Sequence, residues 1–394
     1  MRFWVGGYTA DAGGAASGIG VVHAGSPDSP LAGGDLAFTG VATPAASPSW
    51  IVAHPTLDIL YAAQESAGAV GAFARTGPES FAPLGTAVTA GDAPCHLAVA
   101  PDGGSLVASC YGDGRVVSFP LDATGRVGAA RIASAAQDPY ADAAMQGRLA
   151  ELSALQGMTG FSGLGDLPIL GSEAEAEAAF AAEEEGGHIA RSSRAHQARF
   201  LPGGVIATTD LGLDLVRFWT LQNGELRETQ SLALPRGSGP RHTVWHPSGH
   251  LYVVTELSLE LFVVAADPSA PASERWSVVG GAPLAPAARS GEDFAAEIAL
   301  ARDAQHVVVG IRGSNTLASL RVRDGGRGVT PVALAESGVD WPRHHVIERD
   351  TVLVAGQLSN EIASLSLDER TGAVGRVRRR VEAPSPTRLL ADHG

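Results

Sequence analysis

A pattern that recurs about every 46 residues runs along almost the whole chain, and it restricts the possible folds more than any other feature. Each copy contains a short strand, a turn with proline or glycine, and a second, more apolar strand. Six complete copies begin at Pro48, Pro94, Arg194, Pro240, Ala295 and Pro342. Apart from one interval of 100 residues, their spacings of 46 to 55 residues match the period of a four-stranded propeller blade.

A seventh copy is divided between the two ends of the chain. PTRLL, from Pro386, supplies its first strand, FWVGGYT, from Phe3, its second, and GIGVVHA, from Gly18, its third. Pairing these segments closes a ring and leaves no sheet edge open. The sequence therefore predicts an all-β fold, a seven-bladed β-propeller closed by its N- and C-terminal strands, with residues 1–394 as a single domain. Two β-sandwiches are the alternative, but a sandwich does not require a constant period.

The long interval predicts an acidic helical insertion between two blades, over residues 132–192. Asp138 followed by Pro139 is typical of a helix start, and Ser172 with Glu175 forms a capping-box pattern. Ten acidic and two basic residues give this segment a net charge of −8, out of −14 for the chain. Two interpretations remain open, a lid over a site and a solvated decoration.

Composition excludes several classes of function. All 28 basic side chains are arginine, so lysine Schiff-base chemistry and a P-loop lysine are excluded. A net charge of −14 disfavours nucleic acid and anionic membranes as partners. The first residues lack the basic and apolar regions of a signal peptide, and no apolar run reaches the ~20 residues of a membrane helix. We therefore expect a cytoplasmic monomer that acts on a small molecule.

Superposition of the seven copies places polar residues at two equivalent positions that meet at one mouth of the channel. The third residue of each copy is Trp50, His96, His196, His242, Glu297, His344 or Arg388, and Arg241 and Arg343 directly precede two of the histidines. The second strands end at Tyr8, Glu65, Tyr111, Asp210, Glu256, Arg312 and Gln357. Histidine and carboxylate exchange protons near neutral pH, and arginine holds carboxylate or phosphate oxygens, so these positions suit acid and base catalysis on an anion.

Other chemistry at this mouth is less well supported by the sequence. Several histidines around one channel could hold zinc, but there is no HExxH or cysteine-rich spacing, and the adjacent arginines would repel a cation. Cys95 could act as a nucleophile, although a small buried apolar role fits it better. A GxSxG nucleophile motif does not occur in the chain. We predict a site without a metal or another cofactor.

Several motifs resemble the bacterial lactonase family of seven-bladed propellers, which includes propeller-type 6-phosphogluconolactonases and is similar in fold to fungal carboxymuconate lactonizing enzymes. The motifs are PCHLAVAPDG, RAHQ followed by TTDLGLD, GSGPRHTVWHPSG with VVTEL, AAEI followed by IRGS, and WPR. The resemblance implies His196 and Glu256 as acid and base, and Arg241 and Arg312 as the arginines that hold the substrate anion. The chain departs from the family at Arg194, where histidine is usual, and at Thr255, where asparagine is usual.

The combined prediction is a lactonase that hydrolyses a small anionic lactone of a sugar acid or phosphosugar acid. Beyond the four residues named for catalysis, the predicted substrate-binding residues are His96, His242, Glu297, Arg343, His344, Asp210 and Gln357. Two alternatives remain. A cycloisomerase would use the same residues on an unsaturated acid, and a non-catalytic propeller would serve as a binding scaffold.

Overall fold

The computed structural model describes residues 1–141 and 191–392. Within these ranges the chain forms seven antiparallel sheets, six of four strands and one of five. The predicted seven-bladed all-β propeller is therefore confirmed. The helices of the described ranges are short 3₁₀ turns, at Ala10–Ala12, Glu65–Ala67, Pro202–Gly204 and Asp324–Gly326. None of them is long and apolar enough to cross a membrane.

The strands, numbered in chain order, occupy four equivalent positions in the blades. The innermost strands are β4 (Pro48–Ala53), β9 (Pro94–Val99), β13 (Ala195–Phe200), β17 (Pro240–His246), β21 (Phe294–Leu300), β25 (Pro342–Glu348) and β29 (Pro386–Asp392). The second strands are β1 (Arg2–Gly7), β5 (Ile59–Gln64), β10 (Ser105–Cys110), β14 (Val205–Asp210), β18 (His250–Thr255), β22 (His306–Arg312) and β26 (Thr351–Gly356).

The third and fourth strands complete each blade toward the outside. The third strands are β2 (Ile19–Ala24), β6 (Ala69–Gly77), β11 (Val116–Pro120), β15 (Leu215–Gln222), β19 (Glu260–Ala266), β23 (Thr316–Arg323) and β27 (Glu361–Leu367). The outer strands are β3 (Leu36–Thr43), β7 (Ser80–Pro83), β12 (Arg131–Ile132), β16 (Glu225–Ala233), β20 (Trp276–Pro283), β24 (Gly328–Glu336) and β28 (Val374–Glu382). A further short strand, β8 (Val88–Thr89), pairs with β6. We number the blade that contains β29 and β1 as blade 1, and the others follow along the chain.

The two chain ends pair as predicted. Strand β29 lies antiparallel to β1, with Leu389 opposite Val5. Asp392 adds two ion pairs, to Arg2 at 2.9 Å and to Arg75 of blade 2 at 2.9 Å. The innermost strands pack against one another in sequence, and β29 packs against β4, so they form a closed ring around a central channel.

The core lies between the blades. Because each blade is covered by a neighbour on both faces, its inner strands can be apolar on both sides instead of alternating with polar residues. Between blades 5 and 6, for example, Tyr252 and Leu261 pack with Val309 and Ile311, all fully buried. Burial on both faces explains why the repeat is visible as a run of short apolar strands.

A β-bulge interrupts the start of each innermost strand, and the sequence repeat did not reveal it. In blade 4 the pairs Ala195 with Asp210 and Gln197 with Thr209 leave His196 without an opposite residue. In blade 5 the shift between Pro240 and Thr243 leaves two residues in the bulge. Bulges bend a strand and redirect its side chains. Some of the predicted mouth residues lie in these bulges, namely His196, Arg241, His242, Glu297 and Arg343. Trp50, His96, His344 and Arg388 are instead the first paired residues after a bulge.

The first residues of the predicted insertion lie within the described ranges. Ile132 belongs to the outer strand β12 of blade 3. Residues 139 and 140 form a turn. The rest of the first predicted helix, and all of the second, lie outside the described residues. The acidic insertion over 132–192 stays a prediction.

Candidate active site

The third residues of the blade repeats converge at one end of the channel. The Trp50 ring lies 4.1 Å from the His96 ring, measured between centroids. His242 lies 5.3 Å from Trp50 and 5.0 Å from His196. His344 lies 5.5 Å from Trp50 on another side. Side chains from five blades thus meet around one axis, as the superposition of the repeats predicted.

Glu256 links two arginines from neighbouring blades. Its Oε2 atom lies 2.7 Å from Arg241 Nε and 2.8 Å from Arg312 Nη2. Both arginine side chains are only 2% exposed, and Glu256 is 14% exposed. The Arg312 guanidinium also packs over the Trp341 ring at 5.1 Å. Two guanidinium groups held in place by one carboxylate are charged donors of the kind that bind an anion or an oxyanion.

His196 stands next to this cluster as a buried, neutral imidazole. Its side chain is 6% exposed, and its Nδ1 atom makes no hydrogen bond with any described residue. Burial lowers the pKa of His196 well below 6.5, and the positive charge of Arg241 lowers it further. At neutral pH the ring therefore carries no charge and can accept a proton.

Glu297 forms the centre of a second buried network in the same ring of residues. Its Oε2 atom lies 3.2 Å from His242 Nδ1 and 3.0 Å from His344 Nε2. Burial alone would raise the pKa of Glu297, but these neighbours lower it well below its usual range. Burial lowers the pKa of His242 to about 4 and of His344 to about 3. The carboxylate is therefore ionised and the two imidazoles are neutral donors to it.

A third polar cluster occupies the opposite side of the mouth, on blades 7, 1 and 2. Arg343 donates from Nη2 to the Tyr8 hydroxyl at 2.9 Å and from Nη1 to Gln357 Oε1 at 3.3 Å. The Tyr8 hydroxyl donates to Glu65 at 3.0 Å. Arg343 and Gln357, predicted separately, therefore touch each other. Tyr8 and Glu65 complete a cluster that can exchange hydrogen bonds with the hydroxyl groups of a substrate.

Asp210 has a different role from the predicted one. Its carboxylate accepts hydrogen bonds from the Arg194 N–H at 2.8 Å, from the Leu213 N–H at 3.1 Å and from the Ser193 hydroxyl. It is 2% exposed, and burial raises its pKa. The sequence predicted that the Asp210 carboxylate binds substrate, but in the structure its oxygens accept hydrogen bonds from the protein itself. Asp210 organises the loop that leads to His196.

Asp214 organises the loop that leads to Arg241, and the sequence analysis did not select it. Its carboxylate accepts the N–H groups of Gly237 and Gly239 at 2.8 Å each, directly before β17, and pairs with Arg191. Arg191 also pairs with Asp138 at 3.1 Å. The sequence feature that could have indicated Asp214 is the segment DLGLD, in which two aspartates flank a short loop that contains glycine.

We expect Asp214→Asn to lower kcat by roughly 10-fold, because small shifts of a catalytic group are costly and Arg241 lies two residues beyond Gly239. KM should change less, since Asp214 does not contact Arg343 or its partners at the other side of the mouth. Steady-state kinetics measure both constants. Asp267→Asn is the matched control, because Asp267 also accepts a turn N–H, from Ser269 at 2.9 Å, but on the exposed outer side. Equal losses in the two variants would contradict a positioning role for Asp214.

The histidines do not form a compact ligand set. Among residues 1–141 and 191–392, no three histidine, cysteine or acidic side chains are grouped in a way that could hold a metal ion. Cys95 is buried and its thiol contacts the His196 carbonyl oxygen at 3.3 Å. Burial raises the pKa of the Cys95 thiol, so it stays protonated at neutral pH.

Comparison with known proteins agrees with the propeller fold and assigns the chain to a family. Residues 2–144 and 165–391 match the protein family described as "Lactonase, 7-bladed beta-propeller". The chain is 25% identical over 345 residues to 6-phosphogluconolactonase of Bacillus subtilis (strain 168), which covers 84% of this chain and 82% of that protein. The fold is similar to the periplasmic gluconolactonase of Pseudomonas aeruginosa, with a TM-score of 0.75 at 22% identity and 99% of both chains covered. A Lactobacillus plantarum protein gives a TM-score of 0.75 at 21% identity, again over 99% of both chains.

Proposed function

Because this chain belongs to the lactonase family of seven-bladed β-propellers, we propose that it is a lactonase that opens a small anionic sugar-acid or phosphosugar-acid lactone at the channel mouth. The observation that carries the proposal is a neutral His196 close to Arg241, which together with Arg312 holds the Glu256 carboxylate. This arrangement supplies a proton acceptor beside two fixed cations. A general base and charged donors to the oxyanion both accelerate ester hydrolysis.

In the proposed reaction His196 takes a proton from a water molecule while the water oxygen bonds to the lactone carbonyl carbon. The carbonyl oxygen becomes an oxyanion, which Arg241 and Arg312 stabilise. When this intermediate collapses, the bond between the carbonyl carbon and the ring oxygen breaks. Imidazolium His196 returns its proton to the leaving alkoxide, and the product is an open-chain hydroxy acid.

Glu256 is proposed to orient the arginines and not to act as the base. Its Oε2 atom already accepts two guanidinium groups, at 2.7 and 2.8 Å. Two donors thus already contact this oxygen, whereas His196 Nδ1 makes no hydrogen bond within the described ranges. The sequence left either residue as the base, and this geometry favours His196.

The rest of the mouth is proposed to hold the substrate beyond its reacting ester. Arg343, Gln357, Tyr8 and Glu65 form a cluster of donors and acceptors suited to the hydroxyl groups and the anionic end of a sugar acid. His96, His242, His344 and Glu297 are proposed to line the floor below it. Asp210 is omitted from the proposed substrate contacts because its carboxylate is used by the loop.

A panel of lactones tests the proposal and its nearest rival together. We expect the purified protein to release acid from lactones of sugar acids or phosphosugar acids, followed with a pH indicator. A cycloisomerase would instead consume a muconate, followed by its ultraviolet absorbance, without releasing acid from sugar lactones. A protein that binds these compounds in a thermal-shift assay but turns over none of them would be a binding scaffold.

The pH dependence of the reaction should reflect the lowered pKa of His196. Because the base must be neutral, kcat/KM falls only when the pH drops through this pKa, which burial places well below 6.5. We therefore expect no acid-side loss of kcat/KM between about pH 7.5 and about pH 6.5, after subtraction of the uncatalysed rate. A half-maximal rate near the ordinary histidine value would contradict a buried His196 as the base.

A further inference from the structure

Two arginines lie along the channel where the proposed reaction does not use them. Arg388 belongs to the ring of third residues on blade 1, and its guanidinium packs over the Trp50 ring at 4.0 Å. Arg199 lies three residues beyond His196 on β13. At about 3.3 Å per residue, its backbone lies roughly 10 Å farther from the mouth. Its side chain nevertheless reaches Thr243, the residue that follows His242 of the ring. The sequence analysis placed Arg388 in this ring without giving it a role, and it did not select Arg199.

The donors of these arginines are only partly used by the protein. The Nε–H of Arg388 is buried and has no acceptor in the described part of the chain. The Nε–H of Arg199 donates to the Thr243 hydroxyl at 3.2 Å. That hydroxyl donates in turn to Gln197 Oε1 at 2.6 Å, which fixes the Arg199 side chain between blades 4 and 5. Buried donors without an acceptor are costly, so an acceptor is expected near Arg388.

The charges of this region do not balance. Glu297 is the one carboxylate that acts electrostatically on both arginines among the described groups, and its Oε2 atom lies 4.0 Å from Arg388 Nη1. The same oxygen already accepts hydrogen bonds from two neutral histidines. Among the described residues, these two partly exposed guanidinium groups and this carboxylate leave one net positive charge. Burial lowers the pKa of Arg388 to about 10, which reflects the cost of this uncompensated charge.

We propose that the channel below the histidine ring binds one small monovalent anion, of the size of chloride or formate, between Arg199 and Arg388. The anion accepts the Arg388 Nε–H and donors of the Arg199 guanidinium. A single negative charge neutralises the excess, and the rings of Trp50 and His96, 4.1 Å apart, border the site and limit the size of the ligand. A metal cation is disfavoured here because the groups facing the channel are net positive.

The direct test is crystallography of the wild-type protein grown in sodium bromide. We expect an anomalous bromide peak in contact with Arg388 Nε and the Arg199 guanidinium. Bromide at exposed surface positions, with water alone between these two arginines, would overturn the proposal. The result does not depend on whether the protein opens lactones, because no substrate is involved.

A solution test uses thermal unfolding at constant ionic strength. We expect Tm to rise by at least about 2 °C when 100 mM chloride or formate replaces methanesulfonate, which is too large for the site. Arg199→Gln should abolish this dependence on the anion, and Arg376→Gln, on the exposed outer strand β28, should retain it. Comparison of the chloride and formate arms shows whether a halide or a carboxylate fits better. If neither anion raises Tm in the wild-type protein, the proposal is wrong.

Discussion

His196→Ala is expected to lower kcat for lactone opening by about 10²–10⁴-fold while the propeller stays folded, which is the usual contribution of one general acid or base. The loss should fall on kcat, because the arginines proposed to hold the substrate anion are unchanged. Folding should survive, since His196 Nδ1 makes no hydrogen bond in the described structure and the ring packs mainly against Tyr111 and His242. Steady-state kinetics and thermal unfolding of the same preparation measure both effects.

His54→Ala is the matched control for this variant. His54 is also a buried histidine, but it lies just beyond the other end of β4, away from the mouth. Its ring contacts the Gly103 carbonyl oxygen at 3.2 Å and accepts the N–H groups of Thr56 and Leu57. We expect His54→Ala to lower Tm and leave kcat nearly unchanged. If His196→Ala keeps full activity, His196 is not the proton carrier.

Arg312→Gln is expected to lower kcat/KM by about 10²–10³-fold, the usual loss when one donor to an oxyanion is removed. Glutamine keeps much of the side-chain volume but removes the positive charge. Glu256 would still pair with Arg241 at 2.7 Å, so the variant does not leave a buried carboxylate without a partner. The comparison of kcat/KM with Tm therefore separates lost transition-state stabilisation from lost folding stability.

Two further variants show whether the loss of activity in Arg312→Gln comes from this position or from the removal of any arginine. Arg343→Gln, in the cluster with Tyr8, should mainly raise KM, because this cluster is proposed to hold the far end of the substrate. Arg376→Gln, which lies exposed on β28, should change neither constant. A similar fall in kcat for Arg312→Gln and Arg376→Gln would show that general loss of positive charge, and not the geometry around Glu256, lowers the rate.

Much of the fold could be predicted because a propeller repeats one local pattern. Blades bury both faces, so their inner strands are apolar and short, and proline and glycine turns separate them at a nearly constant spacing. The pairing of Pro386–Asp392 with Arg2–Gly7 followed from the incomplete copies at the two ends. The bulge at each inner strand was missed, because a bulge changes the pairing of a strand without changing its apolar pattern.

The structure brings the ring of third residues together, and their roles in a reaction stay predictions. The ring of third residues was found because charged groups stand out at equivalent places in apolar strands. Asp210 occupies such a place, yet its carboxylate bonds to its own loop. Arg199 was not selected from the sequence, because it lies within a strand at a position where the other blades carry no arginine.

The sequence by itself determined the number of blades, the closure of the ring and the set of residues near the mouth, because these follow from a repeat and from strand direction. Only the tertiary structure decided which of these residues form ion pairs and which of them are neutral. Glu256 binds Arg241 and Arg312 from separate blades, and His196 is neutral because the blades around it exclude water. Ionisation and ion pairing depend on distances between side chains far apart in the chain and on their burial, and no local pattern of residues encodes either quantity.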